Sequence, residues 1–296
     1  MRPWQFSKPK TPGFGISRDF YLTLLACREP MPVLLSIVSP DGAGGAVPGF
    51  GVPMAKGATK EDLRKPAVRG VYALSTKDRH TVLRMMVMGT NEVPFDPEAV
   101  ARNPEVASFN PETIARTRAA KAIVQLNFES HDAMVYPALE FLQDVAQRIA
   151  FLTDGVIGDP ICERYFLPDE IRISPRANVK IDAREHVCLA HETRQEGLWL
   201  RTLGMRKFAL AELEVYHVEP TLRLQAEMLL IGLCQKTLMG EVLKIGDKFG
   251  NPAAPMMTVQ GGLDRRVWEG ILCYEIIPDG KVTINDAIRS WADSAC

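Results

Sequence analysis

The amino-acid sequence predicts an α+β fold with mostly antiparallel sheets, long helices packed on one side and two similar halves. Three observations predict it. Several short runs alternate apolar and polar residues at the period of a strand, whereas residues 135–152 repeat apolar side chains at the period of a helix. In addition, two strand–helix units, 122–152 and 213–240, follow the same plan. A mixed, partly parallel sheet is the main alternative.

Composition bounds the class of protein before any element is placed. The 296 residues suffice for one large or two ordinary domains. The 35 basic and 36 acidic side chains give a net charge of −1, whereas nucleic-acid binding usually needs a basic surplus, so no nucleic-acid partner is expected. No apolar run approaches the roughly 18 residues of a membrane-spanning helix, so no membrane partner is expected. Six scattered cysteines without a C-x-x-C pair predict a reducing, cytoplasmic location.

Proline and glycine mark the predicted divisions of the chain. Residues 1–18 are rich in Pro, Gly and Lys and are interpreted as a loose N-terminal arm. The stretch 168–178 contains two prolines and mixed charge, which favours a boundary there. The sequence therefore predicts a first α+β half over 19–172 and a second over 173–296.

The first half contains the clearest helix of the chain. Apolar residues from Leu139 to Leu152 lie on one helical face, and Gly155 is the predicted C-cap. Asn110 and Pro111 predict the start of a shorter helix, as N-cap and first helical residue. Predicted strands are Phe20–Ala26, Val33–Val38, Thr81–Met88, Ala122–Glu129, Val156–Ile157 and Tyr165–Leu167.

A glycine-rich stretch, residues 40–57, lies between the first strands. It has no G-K-[ST] sequence, and the third glycine of a G-x-G-x-x-G motif is missing. Pro53 also removes a backbone N–H that such a phosphate loop would use. The stretch is therefore interpreted as a surface loop.

The second half is rich in predicted strands. A strongly apolar helix, Thr221–Gly240, follows the last strand of this series directly, and a terminal helix is predicted over Asn285–Ala292. Predicted strands are Val179–Asp182, Val187–His191, Leu198–Leu203, Leu213–Val218, Met257–Gln260 and Gly270–Ile277.

The two similar strand–helix units place polar residues in the short links between strand and helix, where ligand sites are common. If the halves face each other, two histidines and several carboxylates converge, which suits a divalent metal or acid–base chemistry. The predicted catalytic residues are Glu129, His131, Asp132, His217 and Glu219. The alternative is structural: an N-cap residue, a carboxylate at the positive end of a helix dipole, and a half-buried ring.

A basic connector joins the two strands before the apolar helix. Arg201, Arg206 and Lys207 lie beside Gly204, which predicts a bulge or bend. The three basic residues predict a contact with an anion or an acidic partner. The alternative is a solvated face without a ligand.

The segment Gly204–Glu214 resembles one in uncharacterised bacterial proteins of unknown function, where it reads G-M-x-K-F-G-L-P-E-L-E. Those proteins also contain stretches similar to Glu129–Asp132 and Leu152–Val156, so the resemblance covers about residues 120–220. This chain has Ala209 and Ala211 in place of the Gly and Pro of the pattern. The resemblance implies a bacterial, cytoplasmic α+β domain and brings no activity with it.

The sequence contains no complete catalytic signature. H-E-x-x-H, G-x-S-x-G and H-R-D are all absent. The leading hypothesis is therefore a non-enzymatic cytoplasmic interaction or ligand-binding protein, with a protein or a small molecule as partner. The alternative is a metal-dependent or acid–base hydrolase-like enzyme with a site between the two halves. The sequence identifies no cofactor, metal or oligomeric state.

Overall fold

The computed structural model describes residues 14–37, 47–50, 61, 64–102, 110–131, 135–170 and 182–295. The chain divides into two compact units. The N-terminal unit comprises the described residues of Arg18–Asp132 and Tyr136–Val179, and the C-terminal unit those of Met1–Ser17, Ala133–Val135 and Lys180–Cys296. The predicted boundary at residues 172 and 173 lies outside the described residues, as do residues 1–13 of the predicted arm.

The N-terminal unit is built on a seven-stranded sheet. Its strand order is β2-β3-β4-β5-β1-β6-β7, and each neighbouring pair is antiparallel. The elements in chain order are β1 (Tyr21–Ala26), α1 (Leu34–Ile37), β2 (Val47–Phe50), β3 (Gly70–Ser75), β4 (Val82–Gly89), α2 (Pro97–Arg102), α3 (Pro111–Arg118), β5 (Ala122–Ser130), α4 (Val135–Thr153), β6 (Val156–Asp159) and β7 (Arg164–Phe166).

Local sequence signals explain the helix ends of this unit. The predicted N-cap of α3 is confirmed, because the Asn110 side chain accepts a hydrogen bond from Glu112 N at 3.0 Å. At the end of α4 the left-handed residue is Asp154, with φ 50°, and not the predicted Gly155. Gly155 is needed for space instead, since a Cβ there would lie 2.6 Å from the Leu25 carbonyl oxygen.

The C-terminal unit is built on a six-stranded sheet of order β11-β12-β13-β10-β9-β8. The β10–β13 pair is parallel and the other pairs are antiparallel. Its elements in chain order are α5 (Ala183–His186), β8 (Cys188–Arg194), β9 (Gly197–Leu203), β10 (Glu212–Val218), α6 (Arg223–Leu238), β11 (Lys248–Asn251), β12 (Ala254–Gln260), α7 (Arg265–Trp268), β13 (Cys273–Pro278) and α8 (Ile284–Ala295).

Helices α6 and α8 form the layer that covers this second sheet. Helix α6 contacts β9 and β10, and α8 contacts β10 to β13 as well as α6. Leu229, Leu230 and Leu233 of α6 are buried, as are Ala287 and Ile288 of α8. Burial of such apolar side chains supplies most of the favourable free energy that holds helix to sheet.

The α+β class with antiparallel-rich sheets is confirmed. The long helices are overstated, because only α4, α6 and α8, with 19, 16 and 12 residues, exceed eight residues among the described helices. The predicted strand Val33–Val38 is wrong, because Leu34–Ile37 form the short helix α1, and residues 47–50 of the predicted surface loop form strand β2. No helix in the described part of the chain is long and apolar enough to cross a membrane.

Both units contain three consecutive antiparallel strands that lead into a long helix, a meander that α2 and α3 interrupt in the N-terminal unit. In the N-terminal unit this is β3-β4-β5 followed by α4, and in the C-terminal unit β8-β9-β10 followed by α6. Beyond the meander the sheets differ: β1 pairs with β5 in one, whereas β13 pairs in parallel with β10 in the other. Duplication of one unit therefore stays a prediction.

Candidate functional site

The predicted site residues of the N-terminal unit are largely occupied by local contacts. Arg84 on β4 binds the Glu129 carboxylate on β5 through two of its guanidinium nitrogens. The His131 ring meets the Phe128 ring edge-on, with centroids 5.5 Å apart. Asp132 lies outside the described residues. Glu129 thus serves as a cross-strand ion-pair partner here.

His217 and Glu219 lie in the C-terminal unit, at the end of β10. Asn285 of α8 donates a hydrogen bond to the His217 carbonyl oxygen at 3.1 Å and accepts one from Glu219 N at 2.9 Å. The Glu219 carboxylate also accepts a hydrogen bond from Arg289. These contacts fix the end of β10 to the start of α8, so Glu219 has a structural role.

The five predicted residues are divided between the two units, and their convergence stays a prediction. Within the described part of the chain, no group of three His, Cys, Asp or Glu side chains is arranged to hold a metal ion.

The basic connector folds into a 3-10 turn, Met205–Phe208. Backbone N–H groups of this turn bind the carboxylate of Glu212 in the same chain. Gly204 N and Arg206 N donate to the Glu212 carboxylate at 2.8 and 3.0 Å, and the Thr202 hydroxyl donates at 2.7 Å. Burial raises the pKa of Glu212, and these hydrogen bonds oppose the rise. The Glu212 carboxylate of the chain itself therefore occupies the backbone N–H groups that could otherwise bind a ligand anion.

The basic side chains do not form one exposed surface. Lys207 is only 1% exposed, which differs from the exposed connector that the sequence predicts. Its carbonyl oxygen accepts a hydrogen bond from Ser17 N at 2.7 Å, so residues at the end of the predicted arm contact this turn. The Arg201 guanidinium lies over the Trp199 ring, 4.4 Å from its centroid.

Ala209, which ends this turn, takes the left-handed conformation that favours glycine. Its φ and ψ are 52° and 33°, and its side chain is exposed. Ala209→Gly is expected to raise the free energy of unfolding by about 0.5–1 kcal/mol, because relief of the left-handed penalty exceeds the extra entropy of the unfolded chain. Urea unfolding measures the free energy of unfolding of both variants. The control Ala292→Gly, inside α8, is expected to lower this free energy by about 1 kcal/mol. Equal losses in the two variants would contradict the left-handed conformation of Ala209.

A β-bulge in β10 shapes the surface beside the hairpin of β8 and β9. Val215 pairs with Leu200 and Val218 with Leu198, so two residues of β10 face the single Trp199. His217 has a φ of 59° there. Consecutive residues of a regular strand point to opposite faces. At the bulge, both Tyr216 and His217 line the same open cleft.

The buried carboxylate of Glu214 holds the aromatic wall of this cleft. Its Oε2 accepts hydrogen bonds from the Trp268 indole at 2.7 Å, and from the Trp199 indole and the Tyr216 hydroxyl at 3.0 Å. Its Oε1 accepts from Gly262 N at 2.7 Å. We call Glu214 and these four donors the Glu214 hub. Four donors from separate segments meet on one carboxylate, so the hub fixes the position of each ring.

Stacking adds to this rigidity. The Tyr216 ring lies parallel to the Trp199 ring, with an interplanar angle of 4° and centroids 5.5 Å apart. The Arg194 guanidinium lies 4.0 Å from the Trp199 centroid, and Asp264 holds it there through a 2.8 Å ion pair. A cation against an aromatic face is a favourable arrangement, and the carboxylate restricts it to one geometry.

The cleft has two adjoining parts that share Arg194, Tyr216 and His217 as lining residues. One part, of about 210 Å³, extends along the β8–β9 turn, and the other, of about 390 Å³, extends towards Glu275. We call the two parts together the bulge cleft. Its further lining residues are Gln195, Glu196, Gly197, Leu198, Trp199, Leu263, Asp264 and Glu275.

Burial and neighbouring charges shift the ionisation of the cleft. Burial, and then the nearby Glu214 carboxylate, raise the pKa of Tyr216 and that of Glu275. Hydrogen bonds from Arg266 and then Arg194 hold the pKa of Asp264 well below its usual range. Near neutral pH Tyr216 is therefore a hydrogen-bond donor to the hub, and Asp264 is a permanent anion.

A second hollow of about 120 Å³ lies elsewhere in the C-terminal unit. Its lining is almost entirely apolar and includes Leu210, Leu243 and Leu272. It lacks the charged groups that give a ligand orientation and specificity.

Sequence reasoning found His217 but missed Arg194, Trp199, Glu214, Asp264 and Glu275. A signal was present in β10, where Glu212, Glu214 and Tyr216 alternate with apolar residues and so predict a polar strand face. The sequence alone could not show that Trp268 and Gly262 come from a distant segment to complete the hub.

Comparison of the chain with protein-family models, curated proteins and solved structures gave no match.

Proposed function

We propose that this chain is a ligand-binding protein, and that the bulge cleft of its C-terminal unit binds a small molecule or a single side chain of a partner. The Glu214 hub is the observation that carries the proposal. Hydrogen bonds within the chain itself hold the Trp199 and Tyr216 rings of the wall, and Trp268 behind them, so the aromatic wall is preorganised. A preformed wall reduces the entropic cost of binding.

The size and lining of the cleft support this function. Ligand pockets generally span about 300–1,000 Å³ and combine aromatic walls with a few polar groups. The part towards Glu275, of about 390 Å³, falls in this range, and the adjoining part adds about 210 Å³. Partly buried Tyr216 offers an apolar surface, while His217 and Glu275 offer polar groups on the same side.

A cytoplasmic location belongs to the same proposal. Cys27, Cys162, Cys188, Cys234 and Cys273 carry thiols. Thiols of this kind are typical of a reducing compartment. The resemblance of Gly204–Glu214 to bacterial cytoplasmic proteins agrees with it.

A fragment screen by protein-observed NMR tests the function. We expect fragments that bind to shift the backbone amide signals of Gly197, Tyr216, His217 and Glu275. Tyr216→Leu removes the ring that lines both parts of the cleft, and it is expected to weaken these fragments by about tenfold, equivalent to the loss of one aromatic contact.

The matched control is Tyr274→Leu, which alters the apolar hollow and leaves the bulge cleft intact. If fragments shift only amides around Leu243 and Leu272, or if Tyr216→Leu leaves every affinity unchanged, the bulge cleft is not the site.

Acid–base catalysis is the second candidate, favoured by one observation. His217 Nδ1 lies 3.2 Å from a Glu196 carboxylate oxygen, and Glu275 with its raised pKa lines the same cleft. A panel of ester and phosphate substrates tests it with His217→Gln. Turnover that His217→Gln abolishes would favour an enzyme.

Metal analysis of the purified protein, with His131→Ala and His217→Ala as controls, tests the metal-dependent version.

A further inference from the structure

The charges of the bulge cleft are unequally compensated. Arg194 is matched by Asp264 at 2.8 Å and by Glu192 at 3.3 Å, and Asp264 in turn binds Arg266 at 2.9 Å. The guanidinium in the cleft therefore already has two carboxylate partners within reach. A ligand anion would have to displace one of them, at the cost of a charge-assisted hydrogen bond.

Glu275 is the carboxylate that lacks such a partner. It lines the cleft, and no hydrogen bond or ion pair joins its carboxylate to any residue in the described part of the chain. It is half-buried, and in the sheet it lies opposite Glu214, a second carboxylate. Burial and then the Glu214 carboxylate raise the pKa of Glu275, and the nearby His217 opposes part of this rise.

The rest of the lining has the same sign. Glu196 is 76% exposed and lies beside His217 at the other end of the cleft. Counted over both parts, three carboxylates, Glu196, Asp264 and Glu275, face one guanidinium. The carboxylates outnumber the basic groups of the lining even when His217 is counted among them, so the lining is net negative, which attracts cations and repels anions.

The aromatic wall attracts the same charge. The Arg194 guanidinium lies 4.0 Å from the Trp199 centroid and 5.6 Å from that of Tyr216. These rings therefore already hold one cation of the chain over their faces. A ligand cation near Tyr216 would gain from the same ring electrostatics while its charge reaches Glu275.

We propose that the ligand of the bulge cleft carries a protonated amine, which binds between the Glu275 carboxylate and the Tyr216 ring. This rests on the proposed function that the cleft binds a small ligand. The amine provides the hydrogen-bond donors that Glu275 lacks, and the adjoining part of the cleft takes the remainder of the molecule.

Three probes of similar size and different charge test the proposal: benzylammonium, benzyl alcohol and benzoate. Their affinities for the full chain are measured at pH 7 from the amide shifts of Gly197, Tyr216, His217 and Glu275. We expect benzylammonium to bind about ten times more tightly than benzyl alcohol, as a charge-assisted hydrogen bond provides, and benzoate to bind more weakly than both.

Glu275→Gln identifies the group responsible. We expect it to weaken benzylammonium by about tenfold and to leave benzyl alcohol unchanged. Glu269→Gln, at an exposed glutamate outside the cleft, is the control and leaves all three affinities unchanged. Thermal unfolding of both variants checks that each is folded.

The pH dependence separates Glu275 from its neighbours. The groups that face it are Glu214 and His217 on β10, with Arg194 and Asp264 across the cleft. Because the pKa of Glu275 is raised, its charge is lost as pH falls, beginning above the ordinary value of 4.5. Benzylammonium affinity is expected to fall with it, and this fall is expected to disappear in Glu275→Gln.

The outcomes distinguish the amine proposal from the proposed function. If benzyl alcohol or benzoate shifts the cleft amides at equal or higher affinity, the amine proposal fails and ligand binding by the cleft stands. If none of the three shifts these amides, the amine proposal also fails. The proposed function is contradicted only if no fragment of the screen shifts these amide signals either.

Discussion

Glu214→Ala is expected to lower the free energy of unfolding by about 4 kcal/mol. The change removes the common acceptor of the Glu214 hub, and two indole N–H groups, one phenol and one backbone N–H lose their partner together. Each buried donor without an acceptor costs about 1–3 kcal/mol, and water that enters the space recovers part of the sum. Urea unfolding measures the loss.

Glu214→Gln keeps one acceptor oxygen and is expected to lose less, which provides a measurable variant if alanine prevents folding. Exposed Glu241→Ala is the control and should change stability by less than about 0.5 kcal/mol. In two-dimensional NMR spectra, the indole N–H signals of Trp199 and Trp268 should shift in both Glu214 variants. Unchanged indole signals and unchanged stability would mean that the hub does not hold the wall.

Gly197→Ala is expected to cost about 4 kcal/mol and to deform the bulge cleft. Gly197 has a φ of 124°, and a Cβ there would lie 2.8 Å from the Val218 carbonyl oxygen and 3.0 Å from His217 C. Backbone strain costs about 1–3 kcal/mol, and the clash adds to it because these atoms belong to backbone and not to a side chain that could rotate away. The bulge must therefore move.

Gly280→Ala is a closely matched control. Its φ is 125°, but a Cβ at this position meets nothing within 4 Å. It should therefore lose only the strain contribution, about 1–3 kcal/mol. Amide signals of Tyr216 and His217 should change in Gly197→Ala and stay unchanged in Gly280→Ala. Equal losses of stability in the two variants would show that close approach at the bulge is unimportant.

Periodicity was sufficient to predict the class of fold. The apolar face from Leu139 to Leu152 identified α4, and alternation along Ala122–Glu129 and Leu213–Val218 identified β5 and β10. Each of these elements buries one face, and this burial requires apolar residues at a regular spacing that is visible in the local sequence. The parallel pairing of β10 with β13 joins segments about 60 residues apart, and no local pattern encodes such a partner.

The candidate site was less predictable because it depends on an irregularity. His217 was identified by residue type, yet regular alternation would separate it from Tyr216. The bulge that places both in one cleft arises from the pairing of β10 with β9, where Gly197 allows close approach. Glu219 shows the reverse case: a carboxylate in a promising link holds Arg289 of α8.

The central claim is that a preformed cleft at the β10 bulge binds a ligand. Crystals of the protein soaked with a fragment library test it most directly, because electron density shows both the site and the state of the wall. We expect fragments between Arg194, Tyr216 and Glu275, with the Trp199, Trp268 and Tyr216 side chains unmoved on Glu214. Fragments that occupy other surfaces while this cleft stays empty, or a wall that forms only when a fragment binds, would contradict the claim.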